Sequence, residues 1–322
     1  MSKSVKIWLI IAASLIIVGA IIFTGVMIVL KWDFTKLSTV KYQTNTHEIT
    51  DSFKNIAIET DTADIDFVMS ENDKISVVCK EQENYKHNVQ VLNETLEIKL
   101  EDNRRWYEHI GINFSNTKIT VYLPQGEYGD LNVKNSTGDI KIAKDFSFKS
   151  IDIKGSTGHV ASLASAQNEI KIKRSTGDIK LENITANSLD LTASTGRINV
   201  KNIKCENNIK IKVSTGKASL ENTECKNLAS EGSTGDFTLE NVKCSEKLTA
   251  WRSTGDVTLN LCDAEEIAVK TDTGDVAGTL LSDKIFIVST DTGKVDVPKS
   301  TTGGRCEITT DTGDIKIKIS KE

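Results

Sequence analysis

Three triplets, Asp272-Thr273-Gly274, Asp291-Thr292-Gly293 and Asp311-Thr312-Gly313, spell the Asp-Thr-Gly of aspartic proteases. That chemistry needs two carboxylates sharing one proton. Here the copies stand in phase with a longer series of Ser-Thr-Gly triplets, so they read as variants of a repeat. Stacked, with Asp275 and Asp314 beside them, they would form a negative column. Like charges ~5 Å apart repel unless screened or bridged, which makes weak calcium binding a hypothesis. His47, His87, His109 and His159 have no serine, cysteine or ligand constellation near them in sequence, so each reads as a surface or packing residue. The six cysteines include no Cys-x-x-Cys pair, which disfavours zinc and iron–sulfur frameworks. Arg104-Arg105-Trp106-Tyr107, in the irregular stretch from Glu81 to Ser115, has the composition of a carbohydrate or protein contact. A solvated loop tip is the plainer reading. No catalytic, metal or cofactor-binding residue is expected.

The elements that would position these residues follow from length and pattern. A chain of 322 residues with 38% hydrophobic and 26% charged residues and 2 prolines is built to fold, as two domains or one elongated one. Its net charge of −5, with no long basic run, leaves nothing to build phosphate contacts along a nucleic acid.

Ile7 to Leu30 carries no charge. As a helix of roughly 36 Å it exceeds a ~30 Å hydrocarbon core, so it spans a bilayer with tilt. Trp8 and Trp32 lie at its ends and Lys6 and Lys31 bracket it. The one small-x-small site, Val18-Gly19-Ala20, lies mid-stretch, which favours an uncleaved anchor over a signal peptide. Lys3 and Lys6 place residues 1–6 in the cytoplasm by a narrow margin.

The rest is dominated by a repeat. Thr-Gly recurs with its glycine at Gly138, Gly158, Gly177, Gly196, Gly216, Gly235, Gly255, Gly274, Gly293 and Gly313, in steps of 19 or 20. Between glycines the apolar residues alternate every second position, the signal of strands with one face inward. Leucine-rich and nonapeptide calcium repeats fit neither frame nor period. The pattern predicts an all-β parallel β-helix, or β-solenoid, of about ten coils. At ~4.8 Å per coil it spans roughly 48 Å, and the crossover preference makes it right-handed. Glycine supplies positive φ at the turn, and the hydroxyl or carboxylate before Thr-Gly is expected to bond a nearby backbone N–H. Asn183, Asn202, Asn222 and Asn241, six residues after their glycines, should stack at a corner with amides bonding rung to rung. The second strand of each coil should turn inward pairs such as Leu189 and Leu191, Ile209 and Ile211, or Ile285 and Ile287. Cys205, Cys225 and Cys244 share one register nine residues after their glycines. In-register side chains point the same way, which favours buried stacked thiols over a disulfide; Cys79, Cys262 and Cys306 form no obvious pair.

Residues 46–135 alternate without the period, and Thr62-Ala63-Asp64-Ile65 looks like a decayed Thr-Gly-Asp-Ile turn. A solenoid needs its first rung covered, so this segment is expected to be a β-rich cap. The organisation expected is cytoplasmic 1–6, anchor 7–30, linker 31–45, cap 46–135 and solenoid 136–322.

A membrane anchor, strands ending in Ile119-Thr120-Val121-Tyr122-Leu123-Pro124, and repeated Ser-Thr-Gly-Asp-Ile turns together resemble a bacterial family of candidate adhesins, β-strand-repeat domains of unknown function. LiaG-like membrane-anchored proteins of cell-envelope stress operons are similar. The resemblance covers residues 46–322 and implies a β-repeat fold with no catalytic residues to transfer; the adhesin label rests on analogy of fold.

The function expected is an extracytoplasmic binding or scaffold surface, held in the cell membrane by residues 7–30, for an envelope polymer or protein. The alternative is a polysaccharide-active enzyme of the β-helix lyase kind. Such enzymes need cleft walls, for which steps of 19 or 20 leave no room, and His159, Arg197, Lys217 and Lys294 are scattered among the turn positions.

Overall fold

The computed structural model describes residues 2–37, 41–105 and 117–320. Lys3–Val29 is one α-helix of 27 residues, roughly 40 Å long at 1.5 Å per residue. By length and composition it is able to cross a membrane.

From Tyr42 onward the regular structure is strand, stacked as a β-solenoid of about ten turns. The alternation sets the stacking. Glu169–Thr176 pairs in parallel with Ser188–Thr195, matching Ile170 to Leu189 and Ile172 to Leu191. Ile179–Ala186 pairs in parallel with Ile198–Cys205, matching Ile179 to Ile198 and Leu181 to Val200. Each inward side chain therefore lies on its counterpart one coil away, and the core is one cluster running from Ile56 to Ile317. Burying an Ile or Leu fully stabilises by about 1.5–3 kcal/mol, a gain each coil makes only through its neighbours.

Two corners hold the coil. At the first, Gly177 has φ 134, its N–H donates to Thr195 O at 2.9 Å, and an added Cβ would strike the carbonyl of Gly158. Glycine is required there by close approach as well as by φ. The side chain that bonds at this corner follows the glycine instead of preceding Thr-Gly. Asp139 Oδ1 accepts from His159 N at 2.8 Å, His159 Nδ1 from Asp178 N at 3.0 Å, and Asp178 Oδ1 from Arg197 N at 2.8 Å. Ser156, Ser175 and Ser194 are exposed and make no hydrogen bond among the described residues. At the second corner Asn183, Asn202, Asn222 and Asn241 have φ 56, 54, 49 and 52, a conformation Asn tolerates better than most residues. Asn202 Nδ2 donates to Asn183 Oδ1 at 2.7 Å, Asn222 to Asn202 at 3.0 Å and Asn241 to Asn222 at 2.9 Å, which is the ladder the spacing predicts.

Both ends of the stack are interleaved. Asn55–Met69 is itself a rung, with Thr62 opposite Thr137 and Ile65 opposite Ile140. On its other side lie Thr95–Asp102 and Thr117–Leu123, also parallel to it. Beyond them, Ile75–Gln82 pairs antiparallel with Thr117–Leu123 and with Tyr42–Ile49, and Tyr85–Leu92 antiparallel with Thr95–Asp102. At the far end Gly304–Thr312 and Ile315–Ile319, last in the chain, insert between the Gly274 coil and the Gly293 coil. The outermost strand is therefore Lys284–Thr292. Its inward pair is not the expected one, because the strand keeps the phase of the other coils: Phe286 and Val288 precede Gly293 as Leu189 and Leu191 precede Gly196. Phe286 and Val288 lie opposite Cys306 and Ile308, while Ile285 and Ile287 point outward at 44% and 48% exposure. A one-residue shift exchanges the two faces of a strand, and Ile285-Phe286-Ile287-Val288 is apolar on both, so alternation alone does not tell which pair turns inward.

Candidate binding surface

Of the four residues chosen from sequence, Arg104 and Arg105 lie within the described residues, and Trp106 and Tyr107 lie outside them. Arg104 follows the strand Thr95–Asp102 and grips Asp102 through Nε and Nη2, both at 2.8 Å. Its guanidinium lies 3.6 Å from the centre of the Tyr85 ring, whose hydroxyl donates to Asp61 at 3.1 Å. Arg104 is thus held within the fold, and its hydrogen bonds to Asp102 raise its pKa above the usual value.

Next to this lies a buried polar group that the sequence does not reveal. His87 Nδ1 is 2.8 Å from Glu81 Oε2, and His87 Nε2 is 2.9 Å from Thr60 Oγ1. Glu81 also accepts from His87 N at 2.7 Å and from Asn45 Nδ2 at 2.6 Å. Burial pushes the Glu81 carboxyl up, but the hydrogen bonds from His87 and Asn45 outweigh it and hold it below the usual range. Cys79 completes a set of sulfur, oxygen and nitrogen ligand atoms within 4.8 Å of one another, and burial raises its thiol to about 12. The order Thr60, His87, Glu81 is that of a hydrolytic triad. Thr60, however, stands in the inward column opposite Asn135 at 8% exposure, and the side-chain nitrogens of His87 and side-chain oxygens of Glu81 are all bonded. The group ties the antiparallel layer to the first rung.

Of the basic turn residues weighed for an enzyme, two pair with corner aspartates through their side chains: Arg197 Nε lies 3.6 Å from Asp178 and Lys217 Nζ 2.7 Å from Asp236. His159 Nδ1 instead accepts from Asp178 N. Lys294 N donates to Asp314 at 2.8 Å, and Asp314 N to Asp275 at 2.7 Å. Asp275 and Asp314 therefore hold adjacent rungs together. Cys205, Cys225 and Cys244 are buried in one column, with Cys225 Sγ 3.5 Å from Cys244 Sγ; burial raises Cys205 to about 11.

Several grooves are open on the faces of the stack, among them one of about 480 Å³ beside the asparagine ladder and three others. One, about 780 Å³, runs beside the cysteine column and includes the Lys284–Asp263 pair at 2.7 Å. A second, about 400 Å³, contains Trp251, 41% exposed. The third, about 580 Å³, is lined by Lys134, Lys154 and Lys173, by Ser136, Ser156, Ser175 and Ser194, and by Arg174. Arg174 is 2% exposed. Its Nη1 donates to Asn135 Oδ1 at 2.7 Å, its Nε has no partner, and an added Cβ on Gly155 would land on Nη1. Burial pulls its pKa down to about 10, against the field of Asp139, which leaves it charged at neutral pH.

The family model described as Toastrack DUF4097 matches residues 53–318. Solved structures with similarity include a candidate adhesin from Bacteroides fragilis NCTC 9343, with TM-score 0.44 and 17% identity over 86% of this chain and 97% of that one. A candidate lipid-binding protein from Parabacteroides distasonis ATCC 8503 has TM-score 0.43 and 13% identity over 86% and 97% of the two chains. A candidate adhesin from Parabacteroides merdae ATCC 43184 has TM-score 0.33 and 12% identity over 87% and 97%. No curated protein matches the sequence.

Proposed function

The chain belongs to the Toastrack DUF4097 family, whose function is unknown, and on that footing we propose that it is a single-pass membrane protein presenting a β-solenoid outside the cell as a binding surface. Residues 7–30 are the anchor and residues 1–6 lie in the cytoplasm; 31–45 link the anchor to a cap, 46–135, and to the repeats, 136–322. The partner is an envelope polymer or envelope protein. Arg104, Arg105, Trp106 and Tyr107 are the further contact residues that the sequence composition suggests.

One observation carries this reading. From Gly138 to Gly313 the corners follow at 19 or 20 residues, so no coil carries an inserted wall, and the grooves lie open on flat faces. A surface of that shape suits an extended partner and does not enclose a small substrate. Tagged full-length chain, solubilised in mild detergent, should retain envelope material in a pull-down. Incubated with acidic polysaccharides it should release no unsaturated chain ends; such ends would overturn the non-catalytic reading.

A further inference from the structure

The groove lined by Lys134, Lys154 and Lys173 departs from the rule that governs charges elsewhere on this molecule. Cations on neighbouring rungs are generally answered by an acid one rung away. Lys171 lies 3.2 Å from Asp190, Lys201 2.8 Å from Glu221, Lys212 3.7 Å from Glu231 and Lys217 2.7 Å from Asp236. Lys134, Lys154 and Lys173 instead stack directly on one another in three consecutive rungs. At the ~4.8 Å separation of strands, like charges repel by roughly 1 kcal/mol per pair even in water. Lys154 has a partner within its own strand, Asp152 at 2.6 Å. Lys134 and Lys173 make no ion pair among the described residues.

Two independent features of the same groove point the same way. Arg174 is buried beneath the lysines with no carboxylate bonded to it, reaching across Gly155 to Asn135, and its Nε is without a partner. A buried cation with no ion-pair partner among the described residues, acted on by Asp139 only at a distance, makes the floor positive as well as the rim. Beside the lysines, Ser136, Ser156, Ser175 and Ser194 present hydroxyls that bond to nothing among the described residues. The carboxylate in the lining is Glu59, opposite Lys134 one rung away at the end of the column and 4.0 Å from Lys99.

We infer that this groove binds a linear polyanion lying along the stack, its acidic groups meeting Lys134, Lys154 and Lys173 in successive rungs and accepting from the serine hydroxyls. A single compact anion would reach one or two rungs and leave the rest of the column unanswered. Among the described residues the lining holds no aromatic ring on which a base could stack, which sets the ligand apart from single-stranded nucleic acid. The inference rests on the binding-surface reading and adds a ligand class and an address to it.

The test uses full-length chain in neutral detergent with three probes: linear polyphosphate, a polyuronate and neutral dextran. Either acidic polymer should bind, weakening as salt rises, and dextran should not. The pair of acidic probes tells a phosphate from a carboxylate preference. The variant K134Q/K154Q/K173Q should bind at least tenfold more weakly and with a shallower salt dependence. The variant K141Q/K180Q/K316Q, which removes the same charge from another face, should bind as the parent does. Equal binding by parent and the first variant, equal loss in both variants, or binding of neither polymer overturns the inference. If the parent still retains envelope material when any of these occurs, the general reading stands without this site; if it retains none, that reading fails as well.

Discussion

Gly313 packs on Gly274, and Gly293 packs on Gly313, so the coil that ends the chain is not the coil that ends the stack. The strand Gly304–Thr312 has a neighbour on each side, whereas Lys284–Thr292 pairs on one side only among the described residues. Amide hydrogen exchange should therefore rank the two against chain order. Amides within Gly304–Thr312 should exchange roughly tenfold or more slowly than those within Lys284–Thr292, because edge strands open first. Faster exchange in Gly304–Thr312 would contradict the interleaving.

The asparagine ladder separates backbone tolerance from hydrogen bonding. Asn202 holds φ 54 and bonds both to Asn183 and to Asn222. Asn202→Ala loses both contributions and should cost about 1–2 kcal/mol in urea denaturation, while Asn202→Gly keeps the backbone preference and should cost less. An Ala variant as stable as the parent would remove the ladder from the account.

Glu81 predicts a pH dependence with a definite sign. Its carboxyl is held below its ordinary value by His87 and Asn45, so its stabilisation is complete above the unfolded pKa of about 4.3 and is lost as pH falls through the lower folded value. Glu81→Gln should be less stable than the parent by about 2–4 kcal/mol near pH 7, with the gap closing on acidification. A gap that widens toward low pH would refute the assignment.

Arg252 is the second buried guanidinium. It is 1% exposed, lies 4.7 Å from the Phe237 ring centre, and donates to Ser230 Oγ at 2.8 Å, with no carboxylate bonded to it. Gly232, one rung away, makes room for it. Keeping the volume without the charge should be tolerated, so Arg252→Met should unfold within about 1 kcal/mol of the parent or above it, while Arg252→Ala should lose about 2–4 kcal/mol to the cavity. Equal loss in both would show that the charge itself is needed.

The repeat was legible because its corners are chemically demanding. Gly177 must clear the Gly158 carbonyl, and Asn202 must hold a left-handed backbone while bonding along the stack, so both leave a mark at a fixed spacing. The interleaved end left none, since steps of 19 or 20 are satisfied by either order of the last two coils; in the two-sided apolar run Ile285-Phe286-Ile287-Val288 the inward pair was readable from its distance to Gly293, which matches that of Leu189 and Leu191 to Gly196. The Glu81–His87 network was invisible for another reason. Asn45, Thr60, Glu81 and His87 come from four different strands, three of them in the antiparallel layer and one the first rung, and their spacing has no period. The lysine column was readable from Lys134, Lys154 and Lys173 in steps of 20 and 19, but the buried charge of Arg174 beneath it was not.

The most direct test of a membrane-tethered binding surface is sedimentation of full-length chain with isolated envelope fragments of the cell that makes it. The chain should pellet with the fragments and be released as salt is raised, leaving the polymer intact. Protein that stays in the supernatant at low salt, or polymer that is shortened in its presence, would contradict the account.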